Sequence, residues 1–298
     1  MISIVNNQKW WYGISGALVA ASIVFLIVFR IPFGIDFTGG SLLEVQFETR
    51  PAVTDVRGYL NEAGYGDALV QETGVQDLLL RFGPLTETQH QDLLGQLQEK
   101  FGSVEELRFD SIGPVIGREL ARKSVFGLLI ALVMIVLYVA WAFRHVSEPV
   151  ASWKYGVLTI VAGLHDLFIP LGVFALLGNS LHFQVDTAFI AALLTILGYS
   201  INDTIVVFDR TRENVIREGS SHFAEVVDKS IKQTFARSIN TTVTTLLALF
   251  AIFFFGGETT RSFALALIIG ITTGAYSSIF IASPLLVTWY KWQERRRG

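Results

Sequence analysis

Six long apolar stretches alternate with polar segments along the 298 residues of this chain. They lie near Trp11–Phe29, Val125–Phe143, Tyr155–Leu177, Thr187–Phe208, Arg237–Phe255 and Phe263–Trp289. Crossing the ~30 Å hydrocarbon core of a bilayer takes about 20 helical residues, and each stretch is long enough. The first could be taken for a cleaved signal peptide, but Arg30-Ile31-Pro32 lacks the small residues of a cleavage site, so we expect it to be retained. The pattern therefore predicts six transmembrane helices.

Residues 31–121, between the first two stretches, have the pattern of a small folded domain. Alternating positions predict strands at Ser41–Glu48, Asp67–Glu72, Val75–Phe82 and Val104–Ser111. Helical periodicity predicts a helix from Val53 and a second one after Thr86, where a Thr-Glu-Thr-Gln run matches a capping box. The order βαββαβ is the ferredoxin-like pattern. We therefore predict a polytopic α-helical membrane protein with an α+β domain at 31–121, flanked by residues 1–30 and by a five-helix region at 122–298.

The composition agrees with a membrane protein. Only 16% of the residues are charged, against about 25% in soluble globular proteins, which makes a simple soluble enzyme a poor fit. The absence of cysteine excludes disulfides, thiolate metal sites and a cysteine nucleophile. The net charge of -3 conceals a division, because residues 31–121 carry a net charge of -9 and the remainder carries +6.

Lysine and arginine are distributed unequally between the two sides that six spans define. With the N-terminus inside, thirteen of them face the cytoplasm, whereas the short outside loops near Gly178–Val185 and Gly256–Ser262 contain only Arg261. Cytoplasmic loops of membrane proteins carry the excess of basic residues. We therefore expect both termini in the cytoplasm and the 31–121 domain outside it.

No pattern within the 31–121 domain points to catalysis, a metal or a cofactor. His90 is its only histidine and lies on a predicted helix rich in Gln and Glu, so we expect a solvent-exposed side chain. Gly34–Gly40 contains a GG pair, but it lacks the lysine of a phosphate-binding loop and no helix follows directly. A tight turn is the favoured interpretation.

A further segment, Val215–Ala236, lies on the predicted cytoplasmic side and carries apolar residues on one helical face. These residues are Phe223, Val226, Val227 and Ile231. They predict an amphipathic helix that lies on the membrane surface. A helix that binds a cytoplasmic partner is the alternative.

Asp166 lies in the third predicted span, close to the membrane midplane. A carboxylate at the bilayer centre costs at least ~2.5 kcal/mol, so intramembrane acids are functional candidates. His165 precedes Asp166, and Pro170 follows one turn later, where it removes a hydrogen bond to the Asp166 carbonyl. Asp166 fits either a proton-coupling site or an anchor that hydrogen-bonds neighbouring helices.

Asp203 and Arg237 lie at similar depth in the fourth and fifth spans, with Asp203 about 9 Å below the cytoplasmic boundary. Arg237 alone could snorkel to the interface, but a carboxylate–guanidinium pair is one of the few arrangements that tolerate such burial. An aspartate beside a fixed positive charge can bind and release a proton as their separation changes. We predict proton coupling at Asp203, with Asp166 as the secondary candidate, whereas for Arg237 the residues alone favour snorkelling over the ion pair.

Four ordered blocks carry a resemblance that covers nearly the whole chain. They are GIDFTGGSLLEVQF from Gly34, DSIGPVIGRELARKSVFGLLIA from Asp110, AALLTILGYSINDTIVVFDRTREN from Ala191, and the run from Ala236 that begins ARSINTTVTTLLALF. On these blocks the chain resembles the SecF family of protein translocase subunits, a branch of the SecD/SecF group and of the resistance–nodulation–division superfamily. The middle of the 31–121 domain matches only in element order.

The resemblance implies an accessory subunit of the Sec preprotein translocase in the bacterial inner membrane. Such a subunit acts with a separate SecD chain to couple the proton-motive force to protein export. The implied partners are SecD, the SecYEG translocon, SecA, YajC, the translocating preprotein and membrane lipid, with no nucleic acid and no cofactor. The family's functional aspartate and arginine fall on Asp203 and Arg237.

Three other functions compete with this interpretation. A small-molecule or lipid exporter of the same superfamily would need a larger outside domain to form a substrate pocket. A passive scaffold would use the buried charges for assembly alone. An aspartyl intramembrane protease would need Asp166 and Asp203 to share a proton, but their predicted depths differ by roughly 8 Å, which is too far. No enzymatic chemistry is therefore expected.

Overall fold

A computed structural model describes residues 3–144, 150–181 and 183–296, so that Arg297 at the end of the basic tail lies outside the described residues. In chain order the elements are α1 (Gln8–Phe29), α2 (Ile35–Thr38), β1 (Gly40–Phe47), α3 (Val53–Glu62), β2 (Leu69–Thr73), β3 (Asp77–Phe82), α4 (Glu87–Phe101), β4 (Val104–Ile112), α5 (Pro114–Ala142), α6 (Ser152–Leu181), α7 (Thr187–Glu218), α8 (Phe223–Phe255), α9 (Glu258–Ser277) and α10 (Ser283–Glu294). A π-helical turn, Ser278–Ala282, joins α9 to α10. The chain divides into two compact units, one comprising Phe33–Val125 and the other comprising everything before and after it.

The described residues contain six helices that are long and apolar enough to cross a membrane, which confirms the predicted number. The sixth runs through α9, the π-turn and α10 as one span, Thr260–Glu294. Half or more of the most apolar window is buried in α6, α7 and the sixth span, against 17% or less in α1, α5 and α8. The membrane unit is thus a central three-helix core with three more exposed helices.

Small residues bring the membrane helices into close contact. A Cβ added at Gly274 of α9 would lie 2.9 Å from Cβ of Ser200 on α7, and one added at Gly270 would overlap Ile196. The Gly-x-x-x-Gly spacing of Gly270 and Gly274 allows such approach between membrane helices. A Cβ at Gly172 of α6 would likewise overlap Ser22 of α1.

The smaller unit has the predicted βαββαβ order. Its four strands form an antiparallel sheet in the order β2-β3-β1-β4, with β1 paired to both β3 and β4. The predicted capping box is confirmed, because Thr86 Oγ1 accepts from the Gln89 amide at 3.3 Å and Gln89 Oε1 accepts from the Thr86 amide at 2.9 Å. One hydrophobic core joins the sheet to α3 and α4 through fully buried leucines and valines, including Leu43, Val56, Leu80, Leu93 and Leu97.

His90 contradicts the prediction that it is exposed to solvent. Its side chain is 3% exposed and its ring stacks on Phe109 with the centroids 3.7 Å apart. Its Nε2 lies 3.1 Å from Glu106 Oε2, and its Nδ1 lies 3.4 Å from Glu87 Oε1. Strand β4, distant in sequence, supplies the aromatic and acidic partners that bury a histidine on an otherwise polar helix.

In place of the predicted tight turn, the segment forms the short helix α2, and the GG pair that follows it permits close backbone contacts. Gly39 and Gly40 adopt φ angles of 77° and 138°, which residues other than glycine rarely adopt. A Cβ at Gly39 would lie 2.7 Å from Cα of Pro114, and one at Gly40 would lie 2.6 Å from the carbonyl oxygen of Phe82. The short helix α2 precedes the pair, and strand β1 starts at Gly40.

The predicted surface helix at Val215–Ala236 is wrong. Helix α7 continues to Glu218, and α8 begins at Phe223 and runs unbroken to Phe255. The apolar face is buried within the protein: Val227 and Ile231 are fully buried, and Phe223 packs on Tyr290 of α10 with the ring centroids 4.8 Å apart.

The N-terminal segment also packs on this part of α8. Asp228 Oδ1 accepts from the amides of Ile4 and Val5 at 2.7 and 3.2 Å, and from the Ser3 hydroxyl at 3.1 Å. Asp228 Oδ2 pairs with Lys232 at 2.6 Å. The first turns of α8 therefore contact protein on two sides: their apolar face packs on α10, and Asp228 binds the N-terminal segment.

Candidate functional site

Buried polar side chains collect where α6, α7, α8 and the sixth span face one another. Helix α7 contributes four of them on one face, at a spacing of three or four residues or multiples of it: Ser200, Thr204, Thr211 and Asn214. In an apolar environment each such group needs a hydrogen-bond partner. The contacts that satisfy them tie the core helices together.

Asp166 of α6 lies at the centre of the first cluster and is fully buried. Its Oδ2 accepts hydrogen bonds from the hydroxyls of Ser200 on α7 at 2.5 Å and Ser277 on α9 at 2.6 Å. Its Oδ1 lies 2.8 Å from Nδ1 of His165. Asp166 therefore bonds to both of the helices that complete the core, as the predicted anchor would.

Asp203 of α7 lies in a second cluster and is 7% exposed. Its Oδ1 accepts a hydrogen bond from the Ser238 hydroxyl of α8 at 2.7 Å. Its Oδ2 is buried and has no hydrogen-bond partner among the described residues. One turn further along α8, the hydroxyl of Thr242 is also buried and unpartnered within the described part of the chain. The carboxyl group of Asp203 thus has one neutral donor and one unpaired oxygen.

The predicted ion pair between Asp203 and Arg237 is not formed. Arg237 is exposed on α8, and none of the ion pairs among residues 3–144, 150–181 and 183–296 includes it. Consecutive helix residues point about 100° apart, so α8 places Ser238 in hydrogen-bond contact with Asp203, while the charge of Arg237 acts on that carboxyl group without direct contact. The structure brings the helix that carries Arg237 to Asp203, but not the guanidinium itself.

The two aspartates lie closer in depth than predicted. Asp166 bonds to Ser200, which precedes Asp203 by three residues, or about 4.5 Å along α7. They share no hydrogen bond partner in the described structure, because Asp166 bonds to Ser200, Ser277 and His165, whereas Asp203 bonds to Ser238.

The π-turn places two consecutive serines between these clusters. Ser277 bonds to Asp166, while the Ser278 hydroxyl lies 2.8 Å from the Thr204 hydroxyl, next to Asp203. Ser283 closes the wider turn by donating to the Ser278 carbonyl at 3.0 Å. Such turns widen a helix locally and are frequent at functional sites. Ser278 also donates to the Ser200 carbonyl at 3.1 Å, so its hydroxyl links the level of Asp166 to that of Asp203.

Sequence reasoning missed the serines that serve the two aspartates. Ser200, Ser238 and Ser277 are not among the residues that the sequence predicts for the site. The recurrence of hydroxyl residues on one face of α7 is the signal that could have found Ser200, because a polar stripe inside an apolar span indicates a buried network. Nothing local distinguishes Ser238 from Arg237, since their roles depend on how α8 is rotated.

Two family models match the chain. Residues 93–292 match the C-terminal model of SecD/SecF protein export membrane proteins, and residues 24–49 match the SecD/SecF GG motif. The first match includes all three predicted site residues, Asp166, Asp203 and Arg237, and the second includes the Gly39-Gly40 turn.

Comparison with individual proteins points to the same family. The chain is 41% identical to the protein translocase subunit SecF of Thermobaculum terrenum, over 97% of this chain and 94% of that one. It is 39% identical to the subunit of that name from Synechocystis, over 98% and 95%. It also matches the crystal structure of SecDF, a translocon-associated membrane protein from Thermus thermophilus, with a TM-score of 0.86 and 36% identity. That match covers 97% of this chain but only 38% of the longer SecDF chain. This multi-pass membrane chain belongs to the SecF family of protein translocase subunits.

Proposed function

We propose that the chain is the SecF-type subunit of a protein-export complex, and that it acts with a SecD chain to couple the proton-motive force to preprotein export. Similarity to SecF subunits over nearly the full length supports this proposal. Because SecDF joins the corresponding region to a longer chain, a separate SecD is the partner that would complete the assembly. SecYEG, SecA and YajC are the further components that the family suggests, and the cargo is an unfolded preprotein.

The observation that carries the proposal is the environment of Asp203. The unpaired Oδ2 and the neutral Ser238 donor form a setting that suits a protonated, uncharged carboxyl group. An ionised carboxylate there would have no cation in direct contact, which is costly in an apolar interior. Arg237, the preceding residue on α8, supplies that cation if α8 turns about its axis. Protonation of Asp203 thereby favours one rotation of α8, and deprotonation favours another.

The distribution of basic residues supports an orientation with both termini in the cytoplasm. In that orientation the Phe33–Val125 unit faces the extracytoplasmic side, where an exported chain emerges. Its net negative charge and its lack of catalytic motifs fit a role in handling polypeptide rather than in chemistry. The proton-driven change in the membrane unit would move this domain and so assist the late steps of export.

The test is Asp203→Asn in the intact complex with SecD, with Asp209→Asn as the matched control. Both aspartates lie on α7 six residues apart, and both substitutions remove one ionisable carboxyl, but Asp209 is exposed and its nearest ion pair is at 3.9 Å. Export of a preprotein into inverted membrane vesicles is measured with and without an imposed proton gradient. We expect Asp203→Asn to abolish the gradient-dependent component and Asp209→Asn to retain it.

The competing functions give different results in the same assay. A passive scaffold would allow Asp203→Asn to export normally once the complex has assembled, and that outcome would refute proton coupling. A small-molecule exporter would leave preprotein export unchanged on deletion of the whole chain. Copurification of SecD with each variant establishes that assembly is intact.

A further inference from the structure

His165 uses only one of its two ring nitrogens in the contacts described so far. The side chain is 7% exposed, and Nδ1 lies 2.8 Å from Asp166 Oδ1. The other nitrogen, Nε2, is fully buried and has no hydrogen-bond partner among the residues that the structure describes. A buried polar atom without a partner is costly, and native proteins rarely retain one without a function.

The contacts of Asp166 match the hydrogen-bonding capacity of a carboxylate. A carboxylate only accepts hydrogen bonds, and here it faces two hydroxyl donors, Ser200 and Ser277, together with the imidazole. If Nδ1 of His165 carries the proton and donates it to Asp166, then Nε2 is unprotonated and can only accept a hydrogen bond. The pair then carries one negative charge, deep within the helix core.

No cation balances that charge within the described structure. No lysine or arginine forms an ion pair with Asp166 in residues 3–144, 150–181 or 183–296. The group that packs on the imidazole from α9 is Tyr276, stacked at a centroid distance of 6.3 Å, and its hydroxyl donates to the Trp11 carbonyl instead. Addition of one proton at Nε2 would create an imidazolium beside the carboxylate and would bring the pair to zero net charge.

We propose that His165 and Asp166 together form a second binding site for the transported proton, which loads before Asp203 does. The inference rests on the proposed function and extends it to His165. A proton binds to Nε2, and the imidazolium–carboxylate pair is neutral. When the proton leaves, His165 returns to the neutral imidazole and Asp166 remains a carboxylate, so the site takes up and releases one proton per cycle.

The position of the pair agrees with this order. Asp166 lies level with Ser200, about 4.5 Å before Asp203 along α7, and in the proposed orientation α7 begins on the extracytoplasmic side. A proton that enters from that side meets the His165–Asp166 pair first. The Ser278 hydroxyl contacts both levels, since it donates to the Ser200 carbonyl at 3.1 Å and lies 2.8 Å from the hydroxyl of Thr204, the residue after Asp203.

The first test follows protonation directly and needs no transport. The full chain in lipid nanodiscs is labelled with ¹⁵N-histidine, and its nitrogen spectrum is recorded against pH, with His165→Asn used to assign the His165 signals. We expect Nε2 of His165 to take up a proton, and Asp166→Asn to make that uptake occur only at lower pH, because the balancing carboxylate is lost. A His165 signal that does not titrate in the unmodified chain overturns the proposal.

The second test measures transport. Asparagine at position 165 retains a donor for Asp166 but cannot titrate, so we expect His165→Asn to lower gradient-driven export about 100-fold, the lower end of what a positioned proton-transfer group contributes. The control is His222→Asn, an exposed histidine whose side chain contacts Ser221. Its export should be unchanged.

The outcomes separate this proposal from the proposed function. Normal export by His165→Asn, combined with loss of export in Asp203→Asn, overturns the second proton site alone. Normal gradient-driven export by Asp203→Asn refutes proton coupling itself, whatever His165 does. If His165→Asn fails to assemble with SecD, the titration of the unmodified protein decides.

Discussion

Replacement of Gly40 by alanine should destabilise the Phe33–Val125 unit, whereas a glycine-to-alanine change at a position with an ordinary φ should not. Gly40 has a φ of 138°, and holding a residue with a side chain in this backbone region costs of order 1–3 kcal/mol. The new Cβ would also lie 2.6 Å from the Phe82 carbonyl oxygen, a backbone atom. Relief of that overlap would disturb the Ser41–Phe82 end of the β1–β3 ladder, where a hydrogen bond is worth about 1 kcal/mol. Together these contributions amount to about 3 kcal/mol.

Gly58→Ala provides a control with the opposite sign. Gly58 lies within α3, a Cβ there would meet open space, and its φ is not in the left-handed region. Alanine in a helix interior is more stable than glycine by about 0.5–1 kcal/mol. The same chemical change in the same domain is therefore expected to stabilise at one position and destabilise at the other.

Hydrogen exchange of the full chain, followed by mass spectrometry on peptides from β1 and α3, measures both effects. Exchange through domain opening reports the local free energy of unfolding. A loss of 3 kcal/mol corresponds to about 100-fold faster exchange, since 1.4 kcal/mol is a factor of ten. Exchange in Gly40→Ala at the rate of the unmodified chain would refute the argument from φ and backbone approach. Equal acceleration in Gly58→Ala would show that the domain tolerates no alanine substitution of this kind.

Two further predictions concern helix packing and pH. Gly274→Leu should lower the thermal unfolding temperature of the membrane unit, because overpacking against Ser200 costs about 1–3 kcal/mol. Gly13→Leu should not lower it, since a Cβ at Gly13 meets open space. Equal unfolding temperatures of the two variants would contradict the close contact between α7 and α9. Hydrogen bonds from Gln91, and then from His90, hold the pKa of Glu87 below its ordinary value of 4.5. Glu87 therefore stabilises the start of α4 above that pH, and the contribution is lost as the pH falls through its lowered pKa. In Glu87→Gln the exchange protection of α4, corrected for intrinsic rates, should lose this component of its pH dependence; an unchanged pH profile would contradict the assignment.

The elements that sequence predicted well are those with strong local patterns. Apolar length defines the membrane helices, and the Thr86 capping box defines the start of α4, without reference to the rest of the fold. His90 is different because its environment comes from Phe109 and Glu106 on a strand that is not adjacent in sequence. A polar local sequence cannot reveal a burial that another element creates.

The candidate site shows the same limit. The partner of Asp203 depends on how α8 is rotated, because neighbouring helix residues point about 100° apart and α8 brings Ser238 rather than Arg237 into contact with Asp203. The surface-helix prediction was wrong for a related reason. An amphipathic face has the same sequence whether it covers lipid or protein, and here it packs on α10.

The continuity of α8 gives the proposed function a physical route. One unbroken helix carries Asp228, which accepts from the amides of Ile4 and Val5, and Ser238, which donates to Asp203. A rotation that exchanges Ser238 for Arg237 at Asp203 must therefore also displace Asp228 from the N-terminal segment, because a helix transmits rotation along its length. The hydrogen bonds at Asp228 oppose that rotation, and the charge of a deprotonated Asp203 favours it. Two such opposed interactions on one rigid element are what a two-state switch requires.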